Sequence, residues 1–163
     1  MAIVATDIVY RLSGGASNTD PLLSLGGVKS SSVLTSALFD TVTSAQAAAG
    51  QTDYRCFYVH NNHASLTLQA SEIWIQANTT NTRIAVGLGT SGLNGTEQTV
   101  ASKTTAPVSV VFTTAATNYA TGLVMGGIPP GQSYAVWLRR TVTAGATSAT
   151  DTFTMRTQGD TNP

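Results

Sequence analysis

Asp53-Tyr-Arg-Cys-Phe-Tyr-Val-His60, Asn61-Asn62-His63-Ala64 and Ser65-Leu-Thr-Leu-Gln-Ala-Ser-Glu-Ile-Trp-Ile-Gln-Ala77 form the bulkiest stretch of the chain. Its first part is aromatic and β-branched, the composition that suits a pleated strand. Asparagine tolerates the positive φ that a tight turn requires, and Asn61-Asn62 sits between the two runs. The second run alternates through Leu66, Leu68 and Ala70, then Ile73 and Ile75. Period-two alternation on both sides of a turn signal predicts a β-hairpin. Its apolar content predicts that it forms the centre of a β-sandwich.

Outward from this stretch the chain offers short strands and almost no helix. Residues 82–88 alternate through Ile84, Val86 and Leu88, and a weak strand ends at Val100. Val108 to Thr113 is expected as a strong strand and Val33 to Phe39 as a moderate one. Pro130-Gly131 marks a turn, and beyond it Tyr134, Val136 and Leu138 share one face, with Ala135, Trp137 and Arg139 on the other. A tyrosine three residues after Pro-Gly has the spacing of a tyrosine corner in Greek-key sandwiches. A last strand is expected over residues 152–157, followed by a polar tail. Ser44 and Gly50 bracket the one helix-like piece, as N-cap and C-cap. These elements predict an all-β fold, an Ig-like or jelly-roll-like sandwich of eight to nine strands.

Residues 1–32 are expected to form an N-terminal arm or long loop, and residues 33–163 the sandwich domain. Residues 13–32 carry four glycines and six serines, which disfavours a regular element. Leu22, Leu23 and Leu25 would be costly to leave in water. They are expected either to cover the sandwich or to dock on a partner.

Only 10% of residues are charged, against about 25% in an ordinary domain, and 27 threonines take up much of the difference. A threonine-rich, charge-poor surface packs against a neighbour without desolvating charges, which favours an assembling protein. Net charge is zero. No basic stripe answers the phosphate-neutralising requirement of nucleic-acid binding. The start Met-Ala-Ile-Val-Ala-Thr-Asp lacks a basic n-region and a long apolar core, so no secretory signal is expected. No apolar run reaches the length of a membrane span. Cys56, the single cysteine, is expected to pack as a small hydrophobe.

Residues that could carry chemistry are scattered. His60 and His63 are only two candidate ligands, where a metal centre needs three or four. The eight acids show no paired-carboxylate motif. No Gly-x-Ser-x-Gly elbow occurs, and Gly87-Leu-Gly-Thr-Ser-Gly92 lacks the lysine and helix of a phosphate loop. No catalytic residue, cofactor or metal is therefore expected. Trp74 and Trp137 have two readings: a platform for stacking sugars, or core and subunit-interface residues. The second is preferred. Arg55, Arg139 and Arg156 lie mid-strand among apolar neighbours, where arginine often lines an interface.

Several segments carry a resemblance: Tyr10-Arg-Leu-Ser-Gly-Gly15, Phe39-Asp-Thr-Val-Thr-Ser-Ala45, Gly50-Gln-Thr-Asp-Tyr-Arg-Cys-Phe-Tyr-Val-His-Asn61, Ile73-Trp-Ile75, Ala135-Val-Trp-Leu-Arg-Arg-Thr-Val142 and Arg156-Thr-Gln-Gly-Asp-Thr161. Together they resemble a family of small virion proteins of tailed bacteriophages and prophages. The resemblance implies a non-enzymatic structural component made in the bacterial host cytoplasm. A head decoration or cement protein is the expected member. It would bind the major capsid protein on the outer capsid surface and often form trimers. A tail, baseplate or fibre-associated domain is the first alternative, and a carbohydrate-binding module using Trp74 and Trp137 the second. The expected interface residues are Ile3, Val4, Tyr10, Arg11, Leu22, Leu23, Leu25, Trp74, Arg139 and Arg140.

Overall fold

The structure, a computed structural model, describes residues 2–79, 83–146 and 152–161. It is an all-β sandwich-like fold of nine strands in three antiparallel sheets. The first sheet has the order β1 (Ile8–Leu12), β3 (Gln51–Asn61), β8 (Ser133–Val142), β5 (Ile84–Leu93). The second runs β7 (Leu123–Ile128), β4 (Leu68–Ala77), β9 (Thr154–Thr161), and β2 (Gly26–Gly27) pairs with β6 (Glu97–Thr99). A short α-helix, α1 (Ser44–Ala49), precedes β3. Its N-cap is Thr43, which forms a capping box with Gln46, one residue before the serine expected there. Gly50 ends it with φ 78°.

The long pairing of the first sheet is β3 with β8, in continuous register from Gln51↔Val142 to His60↔Ser133. Alternation sends Phe57, Val59, Val136 and Leu138 to one face, where they meet Leu68, Ile73, Ile75 and Ile128 of the second sheet. The opposite face carries Cys56, Tyr58, Ala135 and Trp137, and these are also buried. Leu25, Val100, Val110 and Phe112 pack over them. The first sheet is therefore a middle layer, between the second sheet and a cover made of residues 13–30 and 97–113. Burying a large aliphatic or aromatic side chain contributes about 1.5–3 kcal/mol, so both interfaces are major terms.

The hairpin expected at Asn61-Asn62 is not formed. β3 and β4 belong to different sheets, and residues 62–67 carry the chain from one to the other. Stacked sheets lie about 10 Å apart, a gap that a two-residue turn does not span. The two strands do occupy inner positions of their sheets, as the central location predicted. Asn61, fully buried, holds the crossing. Its Nδ2 donates to the carbonyls of Leu66 and Ile128, both at 2.8 Å, and its Oδ1 accepts from the His63 amide at 3.0 Å. Its main chain bonds Gln132 and Gly131 of the β7–β8 turn. Two crossings at one end of the sandwich are thus tied through one side chain. The corner function assigned to the Tyr134 hydroxyl falls to Asn61 instead.

Residues 2–32 are built into the domain and do not form a free arm. β1 pairs with β3 from Ile8↔Asn61 to Leu12↔Phe57. Where β1 stops, the Cys56 and Tyr54 amides bond to the carbonyls of Ser24 and Lys103. Serine and asparagine side chains supply the pairing that a strand would otherwise give. The Ser13 hydroxyl donates to Cys56 O and accepts from Gly26 N, and the Ser30 hydroxyl donates to Asn18 O. Gly26 has φ 93°, and a Cβ there would lie 1.8 Å from the Gln98 carbonyl.

Two expected strands are replaced by irregular chain. Val33 makes one bridge to Arg11, after which Leu38 and Phe39 turn in to the core. Over residues 108–113 Ser109 has φ 61°, and only Thr113 bridges to Val86. The Gln98 side chain takes the pairing role there, donating to Val108 O and accepting from Val108 N. The last strand extends to Thr161, so Gln158–Thr161 of the expected tail is paired with β4. Thr82, expected to start β5, lies outside the described residues.

Asn61→Ala removes three hydrogen bonds, one buried and two partly buried, and leaves their partners without this side chain. It is expected to lower the unfolding free energy by about 2–4 kcal/mol, read from urea denaturation. A loss below about 0.5 kcal/mol would show that the corner holds without it.

Candidate functional site

The inner face of the first sheet ends in charge. Asp53 on β3 lies opposite Arg140 on β8. Asp53 Oδ2 accepts from Arg140 Nη2 at 2.5 Å, and its Oδ1 from Gln51 Nε2 at 2.5 Å. Asp40, just before α1, joins them. Arg140 Nη1 donates to its carbonyl at 2.6 Å, Arg140 Nη2 lies 3.3 Å from Oδ1, and Lys103 bonds to Oδ2. Arg55 stands 3.8 Å from Asp40 and donates through Nε to the Leu38 carbonyl at 3.2 Å. The Arg140 guanidinium stacks 4.8 Å over the Phe39 ring. Three cations and two carboxylates thus close one end of the core. Burial works to raise the Asp40 carboxyl, but Lys103 and Arg140 overcome it and hold it below the usual range.

Glu97 is a second buried acid, placed by β6. Burial again favours its neutral form, but the Ser91 amide, with Gln98 and Thr90, outweighs this and lowers it. The Ser91 amide donates to Oε2 at 3.0 Å and the Thr90 hydroxyl to Oε1 at 3.1 Å. The Tyr58 hydroxyl accepts from the Glu97 amide and donates to Gly27 O, so it joins β3, β2 and β6. These carboxylates are occupied in holding the cover and the core end. They are not paired across an open cleft, as general acid and base would be.

A cleft of about 360 Å3 opens between the two sheets, lined by Tyr10, Leu34, Leu38, Phe57, Phe153 and Met155 among others. The Tyr10 hydroxyl is bonded to Thr157 at 3.0 Å. Among the described residues no charged side chain lines the cleft to orient a substrate. Cys56 is fully buried, and burial raises its thiol, which keeps it protonated.

The expected interface residues divide into two groups. Val4, Leu22 and Leu23 are exposed. Ile3 and Tyr10 pack on the main core, and Leu25 packs on Trp137 and its neighbours under the cover. Arg139 lies 5.3 Å over the Phe112 ring, and Arg140 belongs to the ion cluster. Trp74 is only 4% exposed, with the Tyr119 ring edge-on at 6.0 Å and Arg156 at 6.0 Å. Trp137 is fully buried. Neither tryptophan is available as a sugar-stacking platform, and Trp74 is not part of an open interface.

Sequence reasoning missed the most exposed apolar side chains. Val108 and Val111, expected within a strand, are 73% and 82% exposed on the cover. Leu22, Leu23 and Val28 are exposed on the same layer. The alternation of residues 108–113 gave no sign that Ser109 adopts positive φ and turns the valines outward. Comparison of the chain with family models, curated proteins and solved structures finds no match.

Two outcomes test the electrostatics. Asp53→Asn deprives Arg140 of its buried partner and is expected to cost about 3 kcal/mol; an unfolding midpoint unchanged from wild type would contradict the role given to this pair. The second concerns pH. His60 is held neutral by burial and by Lys29 and Arg11, which bring it from 6.5 down to about 4. As pH falls through that interval the unfolded chain takes up a proton that the folded ring refuses, so stability falls. Asp40 and Glu97, both lowered, contribute stability above the ordinary carboxylate range that is lost at still lower pH. His60→Gln should flatten the upper part of this profile in denaturation measured across pH. A wild-type profile level between 6.5 and 4 would contradict the assignment.

Proposed function

We propose that the chain is a non-enzymatic structural subunit of a bacteriophage virion. Within that class we propose a capsid decoration, or cement, protein that binds the major capsid protein on the outer head surface and stabilises it. The homotrimer implied by the resemblance is its proposed working state. The observation that carries the reading is the cover layer. It presents Leu22, Leu23, Val28, Val108 and Val111 to solvent. It carries four charged residues: Asp20 is exposed beside Leu22, Lys29 is partly buried, Glu97 is buried, and Lys103 is committed to Asp40 and Asp53. Large apolar side chains left in water on a soluble domain are candidates for a contact site. This one is held firmly, because Gln98 clamps Val108 and the Val100 amide bonds to Leu25 O. A contact on these side chains gains apolar burial while desolvating few charges.

Immunogold electron microscopy of intact particles tests the location. Label over the heads is expected; label on tails would move the chain to a tail or fibre component, and unlabelled particles would end the virion reading. The contact face has its own test. Val108→Asp combined with Val111→Asp places two charges where apolar burial is expected, on side chains the fold does not bury. The variant should keep its circular dichroism spectrum and lose capsid binding by at least about a hundredfold. Unimpaired binding would remove the cover from the interface.

A further inference from the structure

The outer face of the first sheet carries another cluster of basic groups, and this one contains no acid. Arg11 pairs with Tyr58, and Val9 with His60, so Arg11 and His60 share the face that the cover packs against. Lys29 comes from the cover and places Nζ 3.1 Å from His60 Nδ1. Arg11 spends Nη1 on the Ser31 carbonyl, while its Nε has no hydrogen-bond partner. Among the described residues no carboxylate lies within 4.0 Å of either cation. The contrast with the rest of the chain is informative. Arg55, Lys103 and Arg140 share Asp40 and Asp53, and Arg139 and Arg156 lie over aromatic rings.

Gathering these groups has a cost. Burial and Arg11 together lower the Lys29 pKa, and both cations press on His60. In a chain with as many acids as bases, one carboxylate at this position would remove the repulsion. An external oxyanion would do the same, and would convert the repulsion into charge-assisted hydrogen bonds. Lys29 has donors to spare beyond the one aimed at His60, and the guanidinium has donors beyond Nη1. The neutral imidazole accepts from Lys29 at Nδ1, which fixes the ammonium in place.

We propose that Arg11, Lys29 and His60 form an oxyanion-binding site between the first sheet and the cover, for a single phosphate or carboxylate group. Lys29 follows Val28 of the exposed apolar set, but the site does not depend on the virion reading. Its test is titration of the full-length protein with inorganic phosphate, and separately with acetate. NMR follows the His60 ring and the Arg11 and Lys29 side chains, with chloride holding the ionic strength constant. Saturable shifts are expected at these three residues, with the His60 titration moving upward when the anion is bound. Lys29→Gln should weaken binding by about tenfold or more and leave the melting temperature unchanged or higher, because a repulsion is relieved. Preference for phosphate would identify a phosphoryl source, and comparable binding of acetate a carboxylate source; both support the site. Absence of saturable shifts with either anion, or undiminished binding by Lys29→Gln, would overturn it.

Discussion

The ladder between β3 and β8 is the constraint on which the rest of the molecule depends, because both of its faces are apolar. A strand pair with one polar face needs a single packing partner. This pair needs two. One is the second sheet, reached by the crossing that Asn61 fastens. The other cannot be a regular sheet, since only Gly26–Gly27 and Glu97–Thr99 pair there. It is irregular chain, held by side chains that act as backbone partners. Ser13, Ser30 and Gln98 complete bonds that a ladder would have made, and buried polar groups in such a layer must be satisfied.

The same constraint governs the charges. A chain with so few of them places five in one cluster at the end of the core, where Asp53 is fully buried beside Arg140. An ion pair in that position is weak as a source of net stability but costly to break, because the surviving partner stays buried. The cluster fixes the end of the β3–β8 register: a slip by one residue would turn Asp53 toward the opposite face and leave Arg140 unpaired.

β3, β4, β5, β8 and most of β9 were legible from their composition and alternation, and so was the all-β class; β7 was not, and the strands expected over 33–39 and 108–113 do not form. Partner choice was not. Alternation in the Asp53–Ala77 stretch is the same whether the two runs pair in one sheet or face each other across two. What decides it is the Asn61 side chain, whose partners Leu66 and Ile128 cannot be inferred from local sequence. Asp53 and Arg140 are 87 positions apart, and only the folded register brings them together. The serine- and glycine-rich segment 13–32 reads as loop by composition, which is right for its backbone and wrong for its burial. Lys29 and His60 left no trace in the sequence, since one is in that segment and the other mid-strand.

The central claim is that the irregular layer has two sides with two tasks, an inner side that completes the core and an outer side that we propose meets the particle. Hydroxyl-radical footprinting of the protein, free and bound to intact heads, tests both at once. The account predicts that Trp137 and Tyr58 are unreactive in both states, and that Leu22, Leu23, Val108 and Val111 react when free and are protected when bound. Protection on β7 and β9 with these side chains still reactive would contradict it.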